Sequence, residues 1–153
     1  MRTIETLLQE VPIFQGMSDE ALELLSGCAT NIRFADGETL FREGDDADVF
    51  YVVRHGRVAL DMFVPARGAV TIETVDPGEV IGWSWLFSPY RWHFDAKALG
   101  VVRATVFGAA CLREKCAEDT AFGYDLMGRF TQVLIERLQW TRLRLLDVYG
   151  NGR

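Results

Sequence analysis

Between Asn31 and Phe107 the chain never keeps one regular pattern for more than a few residues. Ile32 and Phe34 alternate with polar neighbours, Asp36-Gly37 interrupts them, and Thr39-Leu40-Phe41-Arg42 starts again. Glu43-Gly44-Asp45-Asp46 precedes Val49 to Val53, and His55-Gly56 reads as the next turn before Val58, Leu60 and Met62. Ala66-Arg67-Gly68 then separates that run from Val70 to Val75, and Asp76-Pro77-Gly78 closes it. Beyond, Phe94, Ala96 and Ala98 alternate with Asp95 and Lys97, and Val101 to Phe107 is again rich in β-branched residues. Short apolar alternations punctuated by Gly at close intervals leave room for little except a small all-β barrel or jelly roll.

Helical patterns flank this region. Thr3 to Gln9 carries Ile4, Leu7 and Leu8 on one face, and Pro12 breaks the pattern because proline disfavours helix at the residue before it. Ser18 reads as an N-cap with Asp19 and Glu20 in the first turn, and Gly27 as the stop. Ala110 to Cys116 is a short amphipathic segment. From Ala121 a longer stripe begins: Phe122, Leu126, Phe130, Val133, Leu134, Leu138, Thr141, Leu145 and Val148, with Asp119 or Thr120 as cap and Gly150 as stop. A helix over 121–148 extends roughly 42 Å, longer than a small barrel. Part of its stripe therefore needs another surface, most simply the same helix of a second subunit.

With 153 residues the chain is expected to be one domain: helices in 1–30, the β region in 31–108 with a distinctive segment at 77–97, and helices in 110–149. A formal charge of −6 argues against nucleic-acid binding through a basic surface. Cys28, Cys111 and Cys116 show no disulfide spacing, so a reduced, cytoplasmic protein is expected. No signal peptide or membrane span is read from the pattern. A jelly roll also raises the metal-dependent enzymes of that shape. Two histidines, His55 and His93, with no accompanying cluster supply neither a metal set nor a catalytic grouping, so no enzyme activity, metal or cofactor is expected.

The chemistry, if any, lies in Asp76 to Lys97. Gly78, Gly82, Trp83, Ser84 and Trp85 crowd between two β-like segments, and Arg91 and His93 stand among aromatics. A Gly-rich entry into a short helical turn presents unpaired amides that favour an anion, and an arginine can clamp a phosphate through two N–H bonds. The same residues also suit a buried aromatic corner with turn glycines and one surface arginine. Trp83, Trp85 and Trp92, with Tyr90 and Phe94, can stack on a purine or simply pack as core. Ser84 can donate to a phosphate oxygen or cap a helix. His93 is read as a strand-edge residue.

These residues together resemble the cyclic nucleotide-binding domain of the catabolite activator type. The resemblance runs from Phe14 to about Asp147 and rests on Gly37, Phe41, Gly44, Asp45, Phe50, Gly56 and Val58. Gly78-Glu79-Val80-Ile81-Gly82, Leu86-Phe87, Ala96-Lys97 and Arg137-Leu138-Gln139-Trp140-Thr141 extend it. It implies a mainly β fold, an eight-stranded jelly roll with short N-terminal helices and a long C-terminal helix. It further implies a phosphate-binding cassette inside the barrel, and a helix that dimerises and closes over ligand. Carried to this sequence, the ligand contacts are Gly82, Trp83, Ser84, Trp85, Arg91 and Thr141, with the Thr141 hydroxyl reading the base across the dimer or standing as an interface threonine.

The chain departs from the family twice. The acidic residue after the cassette glycine is Trp83, which offers no acceptor to a ribose hydroxyl, a loss of about 1–3 kcal/mol. The arginine comes early, so Tyr90 or Arg91 takes its position; Arg91 is chosen because phosphate needs a cation. Family transcription factors continue into a helix-turn-helix, whereas this sequence ends at Arg153, so direct DNA binding is not expected. The expectation is a stand-alone sensor of cAMP, cGMP or another small anionic ligand, homodimeric through 121–148, that signals to an unidentified protein partner. The alternative is a degenerate, ligand-free fold used for protein interaction and dimerisation.

Overall fold

The computed structural model describes residues 3–151, with side chains through Val148. The expected beginning of the N-terminal segment at Met1 and the end at Arg153 lie outside the described residues. Two short helices, α1 (Ile4–Gln9) and α2 (Asp19–Ser26), flank a 3-10 turn at Pro12–Phe14. The hydroxyls of Thr3 and Ser18 cap them, accepting from the Thr6 and Ala21 amides at 3.2 and 3.1 Å.

Six strands follow: β1 (Ala29–Phe34), β2 (Thr39–Phe41), β3 (Val49–Val64), β4 (Gly68–Val75), β5 (Val80–Ile81) and β6 (Asp95–Gly108). The order is β1-β6-β3-β4, with β2 paired to β6 and β5 to β3, all antiparallel. The mainly β architecture with flanking helices is as expected, but there are six strands where eight were expected. The reason is that β3 and β6 are 16 and 14 residues long, each running through a bend. His55-Gly56, expected as a turn, instead lies within β3, where the pairing with β6 slips on either side of His55. Gly56 has φ +83°, and a Cβ there has no room beside the Val101 carbonyl, so the bulge requires glycine.

Alternation along β3 divides the interior in two. Phe50 and Val52 face the helices, joining Leu8, Phe14, Leu25, Trp85, Phe107, Leu112 and Leu126. Tyr51 and Val53 face the inside of the curved sheet, joining Phe34, Phe41, Leu60, Ile81, Trp92 and Val102. Helix α3 (Ala109–Glu118) leads to α4 (Thr120–Asn151). Asp119 is the cap of α4, its carboxylate accepting from the Phe122 amide at 3.1 Å. Phe122, Leu126 and Phe130 bury the first turns of α4, whereas Ile135, Leu138, Trp140, Leu143, Leu145, Leu146 and Val148 are exposed. The helix does not stop at Gly150 but passes through it to Asn151.

The cysteines correct the sequence reading. Cys28 and Cys111 form a disulfide, and Cys116 remains a free thiol, pushed above its ordinary pKa by burial. Their 83-residue separation carries no local signal. Antiparallel pairing of Ala29 with Phe107 brings the start of β1 beside the start of α3, and the Gly108 amide donates to the Cys28 carbonyl at 3.0 Å. None of the helices among the described residues is long and apolar enough to cross a membrane.

Candidate functional site

The cassette leaves β5 at Gly82, whose φ of +98° belongs to the region that glycine occupies without strain. The space above it is filled: a Cβ on Gly82 would lie 2.5 Å from the outer carbons of the Trp92 ring. Trp92 is 2% exposed and stacks on Phe41, with ring centroids 3.6 Å apart and an 8° interplanar angle. Its backbone is clipped to the Gly44–Ala47 loop: Trp92 donates to the Asp45 carbonyl at 3.0 Å and accepts from Gly44 at 2.9 Å.

Because neighbours in extended chain point to opposite sides, Trp92 inward puts Arg91 outward. Arg91 is bonded to Asp46 at 2.8 Å and to the Gly44 carbonyl at 3.2 Å, with about half its side chain exposed. Arg91 was expected to contact a ligand phosphate together with the Gly82 amide; here an indole, not its guanidinium, faces the cassette glycine. The surroundings are apolar as well. Burial, with help from the Asp48 carboxylate, pushes the nearby Tyr51 hydroxyl up to about 12.

Trp83 and Thr141 do come together, in a groove of about 610 Å³ between the cassette, β4 and α4. Arg137 stands at its centre, its guanidinium 4.9 Å from the centroid of the Trp83 ring. Its Nη2 donates to the Val80 carbonyl at 2.5 Å, while Glu73 and Glu79 stand farther off, at 3.8 and 4.0 Å. Its Nη1 is buried with no partner among the described residues. Thr141, one turn on, gives its hydroxyl proton to the Arg137 carbonyl at 2.9 Å, and Trp140 and Arg144 complete the helix side. The indoles, guanidiniums and hydroxyl share the wall with Leu134, Leu138 and the carboxylates of Glu73 and Glu79, a lining that suits a planar ligand whose anionic group meets the arginines.

Ser84 and Trp85 do not join that groove. They open the 3-10 turn Ser84–Leu86, both buried, and Trp85 lies in the helix-side core, 5.2 Å from Phe50 and 5.4 Å from Phe130 between centroids. Within 82–86 the Leu86 amide donates to the Trp83 carbonyl at 3.0 Å, and those of Gly82, Trp83, Ser84 and Trp85 make no turn, cap or side-chain hydrogen bond among the described residues. His93 is exposed, and no cluster of three metal-ligating side chains occurs among the described residues. Sequence reasoning named Trp92 as a residue that stacks on a purine or packs as core and Arg137 only as part of the family segment, and put neither among the ligand contacts. The four-residue spacing of Arg137 and Thr141 places both on one helix face, and period-two alternation around Arg91 points to Trp92.

The model of the cyclic nucleotide-binding domain matches residues 31–119. A CRP-like cAMP-activated global transcriptional regulator of Mycobacterium tuberculosis is 26% identical over 95% of this chain and 63% of that protein. The chain thus spans under two thirds of the length of that curated relative. A crystal structure from Geobacter metallireducens GS-15 is 29% identical with TM-score 0.78, over 90% of this chain and 99% of that one. A cyclic nucleotide-binding domain from Methylobacillus flagellatus KT has TM-score 0.81 at 21% identity, covering 95% and 82%, and shares the fold.

Proposed function

Because the chain belongs to the cyclic nucleotide-binding domain family, we propose that it is a non-catalytic regulatory sensor. Its ligand, a cyclic nucleotide or related phosphate-bearing molecule, is placed in the groove between Trp83 and the Arg137–Thr141 turn of α4. The observation that carries this reading is the Trp83–Arg137 stack, which ties the cassette directly to the long helix. A ligand entering there takes Trp83 as a stacking face, the guanidinium of Arg137, whose buried Nη1 has no partner among the described residues, as an anion donor, and Thr141 as a polar contact. Losing or rearranging the stack, worth about 0.5–2 kcal/mol, shifts α4 and with it a homodimer contact along 121–148, which an unidentified protein partner reads. The cytoplasmic location belongs to the same proposal, supported by the lack of a membrane-spanning helix among the described residues and no longer by the cysteines, two of which are bonded.

Trp92 favours a second reading. With the indole seated over Gly82, the domain is a ligand-free module whose work is done by α4 alone. Calorimetry with cAMP, cGMP and cyclic di-GMP separates the two. The sensor gives saturable heat with at least one of them, weakened at least tenfold by Arg137→Gln. No heat from any of the three removes the sensor and leaves the interaction module.

A further inference from the structure

On the outer face of the sheet, two arginines and a histidine share one cross-strand row: Arg33 on β1 opposes Arg103 on β6, which opposes His55 on β3. Like charges placed directly opposite each other destabilise a sheet. The chain carries 22 acids against 16 Lys and Arg, yet no ion pair among the described residues engages Arg33, Arg54 or Arg103. Arg54, beside His55, adds to the imbalance. It is half-buried, its Nε is buried without a partner among the described residues, and burial together with Arg103 lowers its pKa from the ordinary value.

Arg54, His55 and Arg103 line a cavity of about 520 Å³, whose wall also includes the apolar Leu7 and Val11 and the carboxylate of Glu10. Two guanidiniums and an imidazole at the wall of a partly apolar space match the needs of a small anion with a carbon body. We propose that Arg54, His55 and Arg103 form a binding site for a small organic anion bearing several phosphate or carboxylate oxygens, separate from the groove beside Trp83. A row of solvated surface cations does not account for the buried, unpartnered Nε of Arg54. An anion supplies the missing acceptor and offsets the repulsion across the row.

The test is thermal unfolding and calorimetry in phosphate-free buffer at constant ionic strength, with sodium pyrophosphate and sodium citrate as probes. The site predicts a saturable rise in Tm with at least one probe, and Kd weakened more than tenfold in both Arg54→Gln and Arg103→Gln. Response to pyrophosphate alone assigns a phosphate head, and to citrate alone a carboxylate head. Without probe, Arg103→Gln has a Tm equal to or above that of the native chain, because repulsion has been removed. Arg137→Gln leaves the response unchanged, so failure of the Trp83 groove does not decide this site. A missing response to both probes overturns the proposal, as does a response of equal size in the Arg54 and Arg103 variants. A loss of Tm in unliganded Arg103→Gln also overturns it, since the arginine is then structural.

Discussion

Trp92 decides more about this molecule than any other single side chain. It packs Phe41 on one side and covers Gly82 on the other, occupying the place that the family resemblance assigns to a phosphate. The environment it creates can be probed through Tyr51, whose ring stacks with Phe41 at 6.2 Å. In the unfolded chain a tyrosine ionises near pH 10, but in the fold its pKa is about 12. The folded state therefore keeps its proton while the unfolded state loses it. Stability is fully present below pH 10 and falls between pH 10 and 12, by about 2–3 kcal/mol if the full shift applies. Tyr51→Phe should flatten that slope in urea titrations run at pH 9, 10 and 11; an unchanged slope would show that the ring titrates normally.

At the scale of the element, the notable feature is how unevenly α4 is used. Phe122, Leu126 and Phe130 anchor its beginning, while Leu138, Leu145, Leu146 and Val148 are about half exposed or more. Leu134, Leu138, Thr141, Leu145 and Val148 recur at alternating spacings of four and three, the seam of a paired helix. Leu145→Glu with Val148→Glu leaves the Trp83 groove untouched and should convert a dimer of 17.3 kDa chains into a folded monomer by light scattering. An unchanged mass would place the subunit contact elsewhere. The existence of this helix was legible from its stripe, and its start from Asp119. Its end was not, because Gly150 weakens a helix without forbidding it. The strands were legible as alternation, but His55-Gly56 was not recognisable as a bulge. A glycine needing φ > 0 looks the same in sequence whether the chain turns or only kinks.

For the whole molecule, the family frame was legible through the resemblance carried by Gly37, Phe41, Gly44, Asp45, Phe50, Gly56 and Val58, while the features that depend on long-range contact were not. The Cys28–Cys111 bond closes a loop with sequence separation 83, a fact visible only once β1 lies against β6. On chain entropy such a link destabilises the unfolded state by about 4–5 kcal/mol, an upper figure. Reduction with a phosphine should lower Tm by well over 5 °C, measured by circular dichroism; a shift under 1 °C would mean the bond constrains little. Likewise, Arg91 was favoured on charge alone, but its side depends on how 90–92 pairs with the Gly44–Ala47 loop. The central claim is that ligand contacts the Trp83–Arg137 groove while Trp92 keeps the cassette closed. It is tested most directly by the four indole N–H resonances in a titration with cAMP and then cGMP. The account predicts saturable shifts for Trp83 and Trp140, with Trp85 and Trp92 still. Movement of Trp92, or no movement of any indole, would contradict it.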